Sequence, residues 1–360
     1  MSLAQPKRIL IIKLRHHGDV LLSTPVVDAL KTRFPDCEID MLVYAGTGQL
    51  IADNPQIAQI FTIDRNWKKL GVFKQLACEK NLFSKLKARD YDWAFNLSDQ
   101  WRAAIIAKLC ARCSVGFDCI KRDGFWWRFC HDFINHELDP SHHIVENQLN
   151  ILAPLIQPED VADAKVRLWV AQDARESMRQ KLREQGWSGE DYVLLHPGAR
   201  WHFKCWEDGK NAAIVQLLLN SGQNVVLTAS PDNVEQYMLQ EIIGRLNIPE
   251  GGKVWVLSGC LSLRELAAAI EGAKLFVGVD SAPMHIAAAL DKPQIALFGA
   301  SWVDKWRPYS EQAEVIYAGD YAELPHPDSI DTNDPTRLLK AIPLQDVWDR
   351  ISAKLEALEA

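Results

Sequence analysis

Short apolar runs alternate along this chain with longer segments of helical spacing, and this alternation constrains the fold more than any other feature. Residues 8–14 are rich in isoleucine and are typical of a buried parallel strand. A polar turn at 15–19 follows, and residues 20–34 then show apolar positions at helical spacing up to Pro35. Repetition of this β-then-α order predicts a doubly wound α/β fold.

The alternation runs through two sets of elements, which fits a length of 360 residues and a usual domain size of ~150 residues. The first set has predicted strands at 8–14, 39–44, 60–63 and 93–97, and predicted helices at 20–34, 76–88 and 145–155. The second has predicted strands at 192–195, 224–228, 254–257, 275–279 and 294–298, and predicted helices at 211–220, 237–246, 263–271 and 284–290. The polar segment 158–163 is the predicted linker.

We therefore predict a Rossmann-like domain over 1–160 and a second one over 165–343, with a last helix at 344–360 that folds back onto the first domain. Two such domains are expected to face a cleft. Ligands of parallel sheets bind outside the carboxyl ends of the strands. The informative residues should therefore lie in the turns that follow strands.

Composition and failed motifs exclude several classes of protein. The 40 basic and 47 acidic residues give a net charge of −7, which disfavours broad nucleic-acid binding. Neither a membrane-spanning run nor a signal peptide is recognisable, so a cytoplasmic protein is expected. Gly46 and Gly48 begin a dinucleotide fingerprint that fails at Ile51, which argues against a nicotinamide dehydrogenase.

Two patterns could bind metal, and we expect neither to do so. Cys110 and Cys113 have the spacing of half a zinc site, but the nearby Cys119 and Cys130 do not complete it, so reduced thiols are expected. The Asp-x-Asp pattern at 90–92 precedes a predicted strand and is typical of a solvated turn.

Three turns carry the candidate chemistry. Asp19 follows the first strand, where a carboxylate is either a helix-start residue or a general base. Lys204 lies in a loop of Gly, Arg, His and Trp after the 192–195 strand, which suits an anionic ligand. Asp280 and Ser281 stand where a strand gives way to a helix, whose free amides can hold a phosphate. Simple helix capping is the alternative there, although it leaves His285 unexplained.

Residues 116–143 form an aromatic segment interleaved with Lys121, Arg122 and Arg128. These cations could attract a charged acceptor, and the tryptophans could rest at a bilayer interface. An aromatic flap packed on the first domain is an equally open interpretation.

With these segments in place, the sequence resembles the bacterial lipopolysaccharide heptosyltransferases of glycosyltransferase family 9, and within them the heptosyltransferase III subgroup. The resemblance extends over essentially the whole chain. It rests on residues 13–20, 196–206, 280–285 and 297–301.

This resemblance implies a GT-B fold and inverting transfer of L-glycero-D-manno-heptose from ADP-heptose to an inner-core heptose, without a metal or other cofactor. It assigns Asp19 as general base and Lys204 as the contact to the donor phosphates. The other implied donor-binding residues are Gly198, Ala199, Asp280, Ser281, Ala282 and His285. The implied acceptor-binding residues are Arg15, His17, Lys121, Arg122 and Arg128.

Gly198 and Ala199 stand where some relatives carry threonines next to the phosphates, so a hydroxyl contact is not expected there and backbone amides could take its place. The expected partners are ADP-heptose, the lipopolysaccharide core and the cytoplasmic surface of the inner membrane, with no nucleic acid. The alternatives are a GT-B transferase that uses another nucleotide sugar, such as a UDP-sugar, and a catalytically silent binder.

Overall fold

The computed structural model describes residues 5–118, 122, 124–135, 139, 141–161, 163–332 and 334–359. The chain divides into two compact units, Met1–Trp169 and Val170–Ala360. The division lies after the predicted linker because residues 165–167 are attached to the first unit. Asp28 accepts hydrogen bonds from the amide of Lys165 at 3.1 Å and from the Arg167 side chain at 2.7 Å.

The first unit is built on a parallel sheet with strand order β3-β2-β1-β4-β5-β6. Its strands are β1 Arg8–Lys13, β2 Glu38–Tyr44, β3 Gln59–Ile63, β4 Tyr91–Asn96, β5 Ala111–Phe117 and β6 Phe133–Asn135. Its helices are α1 His17–Leu21, α2 Thr24–Arg33, α3 Val72–Ala88, α4 Trp101–Cys110, α5 Phe125–Phe129 and α6 Ile144–Leu149. The order is that of a doubly wound Rossmann sheet.

Three predicted helices of this unit differ in the structure. The predicted helix 20–34 is two helices, α1 and α2, because Pro25 in the first turn of α2 cannot donate a hydrogen bond to continue α1. Helix α3 begins at Val72, not at residue 76. The predicted helix 145–155 ends as α6 at Leu149 and continues as a 3₁₀ turn, Asn150–Leu152.

The second unit repeats the same topology, with strand order β12-β11-β10-β7-β8-β9. Its strands are β7 Val193–His196, β8 Val225–Ala229, β9 Val254–Ser258, β10 Leu275–Val279, β11 Gln294–Phe298 and β12 Ala313–Tyr317. Its helices are α7 Gln172–Arg183, α8 Asp208–Asn220, α9 Asn233–Ile243, α10 Leu263–Glu271, α11 Ala282–Ala289, α12 Val303–Trp306 and α13 Leu344–Glu359.

The last helix, α13, differs from its prediction because it packs within the second unit. Its buried residues Val347, Ile351 and Leu355 belong to the same hydrophobic cluster as the strands β7, β8 and β10. Their spacing of four residues places them on one face of the helix. The second unit thus extends through α13 instead of ending at residue 343.

Candidate functional site

Each sheet has one point at which the strand order reverses, and the predicted site residues follow the strands at these points. The reversal lies between β1 and β4 in the first unit and between β7 and β10 in the second. A crevice forms at the carboxyl ends of such a strand pair because the connections leave in opposite directions. Asp19 follows β1, Lys204 follows β7, and Asp280 follows β10.

In the second unit, the structure brings the two charged residues of the predicted donor site together. Lys204 Nζ lies 2.5 Å from Asp280 Oδ2, and their side chains are only 15% and 6% exposed. The ammonium also lies 5.1 Å from the centre of the Trp201 ring. An ammonium has three donors, so Asp280 can hold it in place while the others remain for an anion.

A clamp that the sequence analysis missed holds the Lys204 loop in position. The Arg337 guanidinium donates to Nε2 of His202 at 2.7 Å, to the carbonyl of Trp206 at 2.8 Å and to both carboxylate oxygens of Asp208. Burial and the adjacent guanidinium lower the pKa of His202, which keeps its ring neutral as an acceptor. Arg337 is about 130 residues away along the chain, so no local pattern could have identified it.

The start of α11 has no side-chain cap from its N-cap residue. Ser281 is the N-cap residue, but its side chain makes no capping bond, and its hydroxyl donates to the carbonyl of Val279 at 3.1 Å. Asp280 is committed to Lys204. The first amides of this helix are therefore left to an external acceptor such as a phosphate. Ala282 opens the helix and His285 is buried one turn along it.

Gly198 is required by a buried carboxylate beside the end of β7. A Cβ atom at this position would lie 2.5 Å from Glu235 Oε2, so a larger residue would have to displace the buried Glu235 side chain. Glu235 accepts a hydrogen bond from the amide of Ser230 at 2.9 Å and lies 3.7 Å from His196 Nε2. Burial lowers the pKa of His196 although Glu235 opposes this shift. Ala199, the next predicted donor-site residue, is buried.

In the first unit, Asp19 lies in the first turn of α1 and is half-buried. Within the described part of the chain, no side chain forms a hydrogen bond with its carboxylate. His17 precedes it by two residues, and its buried Nδ1 has no partner among the described residues. Burial, together with His16 and Arg65, lowers the pKa of His17. A carboxylate and a neutral imidazole are thus available at the carboxyl end of β1.

Two predicted acceptor-binding arginines meet at Asp99, a residue that the sequence analysis did not single out. Arg15 donates to Asp99 Oδ2 at 2.8 Å, and the Arg122 side chain donates to the Asp99 carbonyl at 3.1 Å. The Arg122 guanidinium also lies 5.8 Å from the Trp101 ring centre. The signal that could have found Asp99 is its place three residues after β4, which ends at Asn96.

Another predicted acceptor-binding cation, Arg128 of α5, has a different partner. It donates to Asp118 Oδ2 at 2.6 Å. Lys121 lies outside the described residues, as does Cys119. Cys110 and Cys113 are free and buried, and burial raises the pKa of each thiol to about 11.

The aromatic segment contains both packed and exposed rings. Trp127 is buried, donates to the carbonyl of Phe117 at 2.9 Å and stacks edge-on against Trp101. His131 accepts from Asn96 at Nε2 and donates from Nδ1 to the carbonyl of Trp127, so burial favours its neutral form and lowers its pKa.

Three other rings, Phe125, Trp126 and Phe129, are exposed and pack mainly on one another. The flap interpretation therefore applies to Trp127 and not to the exposed cluster. No helix in the described residues is long and apolar enough to span a membrane.

Comparison with known proteins identifies the family. The model of glycosyltransferase family 9 (heptosyltransferase) matches residues 80–336. Lipopolysaccharide heptosyltransferase 3 from Escherichia coli is 38% identical over 335 residues, which cover 93% of this chain and 95% of that protein. The chain belongs to glycosyltransferase family 9.

Solved structures share the fold of this chain. The glycosyl transferase family 9 protein from Veillonella parvula DSM 2008 superposes with a TM-score of 0.83 at 22% identity, covering 99% of both chains. The E. coli ADP-heptose LPS heptosyltransferase II superposes with a TM-score of 0.77 at 23% identity, covering 98% of this chain and 100% of that one. The predicted GT-B class and the predicted family resemblance are confirmed, and the protein is a glycosyltransferase.

Proposed function

We propose that this glycosyltransferase transfers L-glycero-D-manno-heptose from ADP-heptose to a heptose of the lipopolysaccharide inner core, with inversion at the anomeric carbon. The observation that carries the proposal is the Lys204–Asp280 pair, 2.5 Å apart, beside the uncapped start of α11. An ammonium and free helix amides form a fixed positive seat for a diphosphate. The names of the relatives, one for lipopolysaccharide and one for ADP-heptose, support the two substrates.

The donor is proposed to lie on the second unit. Lys204 and the amides of Ser281 and Ala282 would contact the diphosphate, and the backbone amides of Gly198 and Ala199 would take the place of the threonine hydroxyls of some relatives. The nucleoside would occupy the region of residues 228–235 and 257–263. Asp280 and His285 stand beside the sugar end of this seat, where a carboxylate can accept hydrogen bonds from hydroxyls.

The acceptor is proposed to bind to the first unit. Arg15 and Arg122 would attract the carboxylates and phosphates of the inner core, with His17 as a neutral hydrogen-bonding group. Lys121 and Arg128 remain proposed contacts for the charged groups of the acceptor. Asp99 would orient both arginines, since it binds one through its carboxylate and the other through its carbonyl.

The proposed reaction is a single displacement. The acceptor hydroxyl attacks the anomeric carbon from the face opposite ADP, and Asp19 takes the hydroxyl proton as the new C–O bond forms. The bond between the anomeric carbon and the diphosphate oxygen breaks, and ADP leaves with the electron pair. Lys204 and the α11 amides offset its growing negative charge, a role that a metal ion fills in other transferases.

The acceptor is part of a lipid-anchored molecule, so we also propose that the enzyme works at the cytoplasmic surface of the inner membrane. The exposed cluster of Phe125, Trp126 and Phe129 supports this because aromatic rings favour the interface of a bilayer. Trp127 and His131 attach this segment to the sheet through hydrogen bonds to Phe117 and Asn96.

The test is release of ADP from ADP-heptose in the presence of heptose-truncated core lipopolysaccharide. Wild type should release ADP with EDTA present as fast as with magnesium. Asp19→Asn should bind ADP normally, because only the proton acceptor is lost. It should release ADP from ADP-heptose at least about a hundredfold more slowly than wild type. Asp64→Asn, at a cap outside the proposed site, is the matched control.

Three results would contradict the proposal in different ways. Normal turnover by Asp19→Asn would remove Asp19 as the base. Binding of UDP in preference to ADP would indicate another nucleotide sugar. Tight ADP binding without any turnover by wild type would indicate a silent binder.

A further inference from the structure

The N-terminal end of α3 exposes apolar side chains that the first unit does not cover. Val72, Phe73 and Leu76 are 70%, 90% and 59% exposed. Within the described residues, the buried side chains of α3 are Leu82 and Leu86, both in its C-terminal half. Single exposed apolar residues are ordinary, but three large ones on adjoining positions form a patch that marks an interaction surface. We name residues 70–76 the α3 tip, since Leu70 before the helix is also exposed.

The apolar face of the α3 tip is not a continuation of the face that packs on the sheet. A helix turns by about 100° per residue, so Val72, Phe73 and Leu76 lie within an arc of about 100°. By the same geometry, Leu82 and Leu86 lie on an arc rotated from it by roughly 100°. The tip therefore presents a second apolar face, directed away from the core of the first unit.

Strong positive charge surrounds the α3 tip in a chain that is acidic as a whole. Residues 65–87 contain seven basic residues and one acidic residue, a net charge of +6, whereas the whole chain carries −7. The acidic residue, Glu79, is paired with Arg102 at 2.6 Å. The basic residues are Arg65, Lys68, Lys69, Lys74, Lys80, Lys85 and Lys87. A basic helix with an exposed apolar face is typical of helices that lie in a membrane interface.

The α3 tip lies at the edge of the sheet where the proposed acceptor residues are. Helix α3 leads from the carboxyl end of β3 to the start of β4, so its first turns are at the carboxyl edge. The Glu79–Arg102 pair sets the third turn of α3 level with the start of α4. At 1.5 Å per residue, residues 72–78 extend about 10 Å beyond that level.

We propose that the α3 tip inserts Val72, Phe73 and Leu76 into the interface of an anionic phospholipid bilayer, while the surrounding lysines bind the headgroups. The membrane contact itself is argued independently of the proposed function. Only its role, which is to bring Asp19 to a lipid-anchored acceptor, rests on that function. A second copy of this chain is a poorer partner, because two equivalent tips would bring together two segments 65–87 that each carry a net charge of +6. The tip and the aromatic cluster provide two membrane contacts, and one weak contact alone gives only marginal binding.

The test is co-sedimentation of the full chain with phosphatidylcholine vesicles that do or do not contain phosphatidylglycerol. Wild type should bind the anionic vesicles more tightly, and salt should weaken this binding. Phe73→Ser with Leu76→Ser should weaken it by about tenfold or more, because the apolar insertion is lost. Ile248→Ser, an exposed apolar residue of the second unit, is the matched control.

A second set of variants tests the contribution of the lysine charges to vesicle binding. Replacement of Lys68, Lys69 and Lys74 by glutamine should weaken binding to anionic vesicles by roughly a hundredfold and leave binding to neutral vesicles unchanged. Lys85→Gln with Lys87→Gln is the control: these two lysines belong to the same basic segment, but they lie about 13 Å or more beyond Leu76 along the helix, so their loss should weaken binding much less.

Activity on a soluble, deacylated core acceptor separates this inference from the proposed function. The Phe73→Ser, Leu76→Ser variant should keep wild-type turnover on that acceptor while it fails to bind vesicles. Equal vesicle binding by variant and wild type would overturn the inference and leave the transferase proposal intact. If wild type formed a dimer that the variant lost, while vesicle binding stayed unchanged, the tip would be assigned to contact with a second copy of the chain instead of a membrane. If wild type bound vesicles but showed no turnover on the soluble acceptor, the membrane role of the tip would be supported and the proposed transfer reaction would be refuted.

Discussion

Removal of the Lys204 ammonium separates the catalytic role of the Lys204–Asp280 pair from its structural role. Lys204→Met keeps the apolar stem and deletes the charge. The pair is 2.5 Å apart, with side chains that are 15% and 6% exposed, so the deletion leaves Asp280 buried without its partner. Such a loss costs about 3–5 kcal/mol. For a unit of this size, we expect the melting temperature to fall by roughly 6–20 °C.

The same change should remove about 3 kcal/mol of transition-state stabilisation from the departing diphosphate, or roughly a hundredfold in kcat/KM. Addition of Asp280→Asn neutralises the unpaired carboxylate. The double variant should therefore recover most of the melting temperature and none of the activity. Thermal melts and the ADP-release assay measure the two effects separately.

A lysine elsewhere in the second unit provides the control. Lys181 Nζ lies 2.5 Å from Glu265 Oε1 between α7 and α10, and this pair helps to lower the pKa of Glu265 to about 2. Lys181→Met should lower the melting temperature and leave kcat/KM unchanged. If the Lys204→Met, Asp280→Asn variant regained activity together with stability, Lys204 would be a structural residue and the diphosphate argument would be refuted.

Three further predictions follow from the described contacts. Arg337→Lys cannot keep both bonds to Asp208, so steady-state assays should show about tenfold lower kcat/KM with circular dichroism unchanged; unaltered kinetics would refute the clamp. Gly198→Ala should weaken ADP binding in calorimetry by about tenfold, because its Cβ would displace Glu235; unchanged affinity would contradict that crowding. The folded-state pKa of His131 is lowered, so below about pH 6.5 the unfolded chain binds more protons than the folded chain, and the melting temperature should fall as the pH is lowered. His131→Gln should make this pH dependence shallower. An unchanged dependence would show that other groups cause it.

Much of the fold was predictable because local pattern and burial agree in the central strands. The predicted strands 275–279 and 294–298 match β10 and β11 to the residue, since both are short, fully buried segments that are apolar apart from Gln294. The edge strands β6 and β12 and the strand β5 were not predicted. Their short or mixed sequences, such as Ala-Arg-Cys-Ser-Val-Gly-Phe in β5, carry no clear period, and their pairing partners define them.

By itself the sequence determined the strand-to-turn junctions, and with them the positions of Asp19, Lys204 and Asp280, because hydrophobic runs and turn residues are local signals. Only the tertiary structure decided which distant groups act on these residues. Arg337 reaches the Lys204 loop, and Asp99 joins two arginines, through contacts between segments far apart along the chain. Tertiary contacts likewise decide whether an apolar helix face is buried. The apolar face of α13 packs on the core of the second unit, whereas that of the α3 tip is exposed.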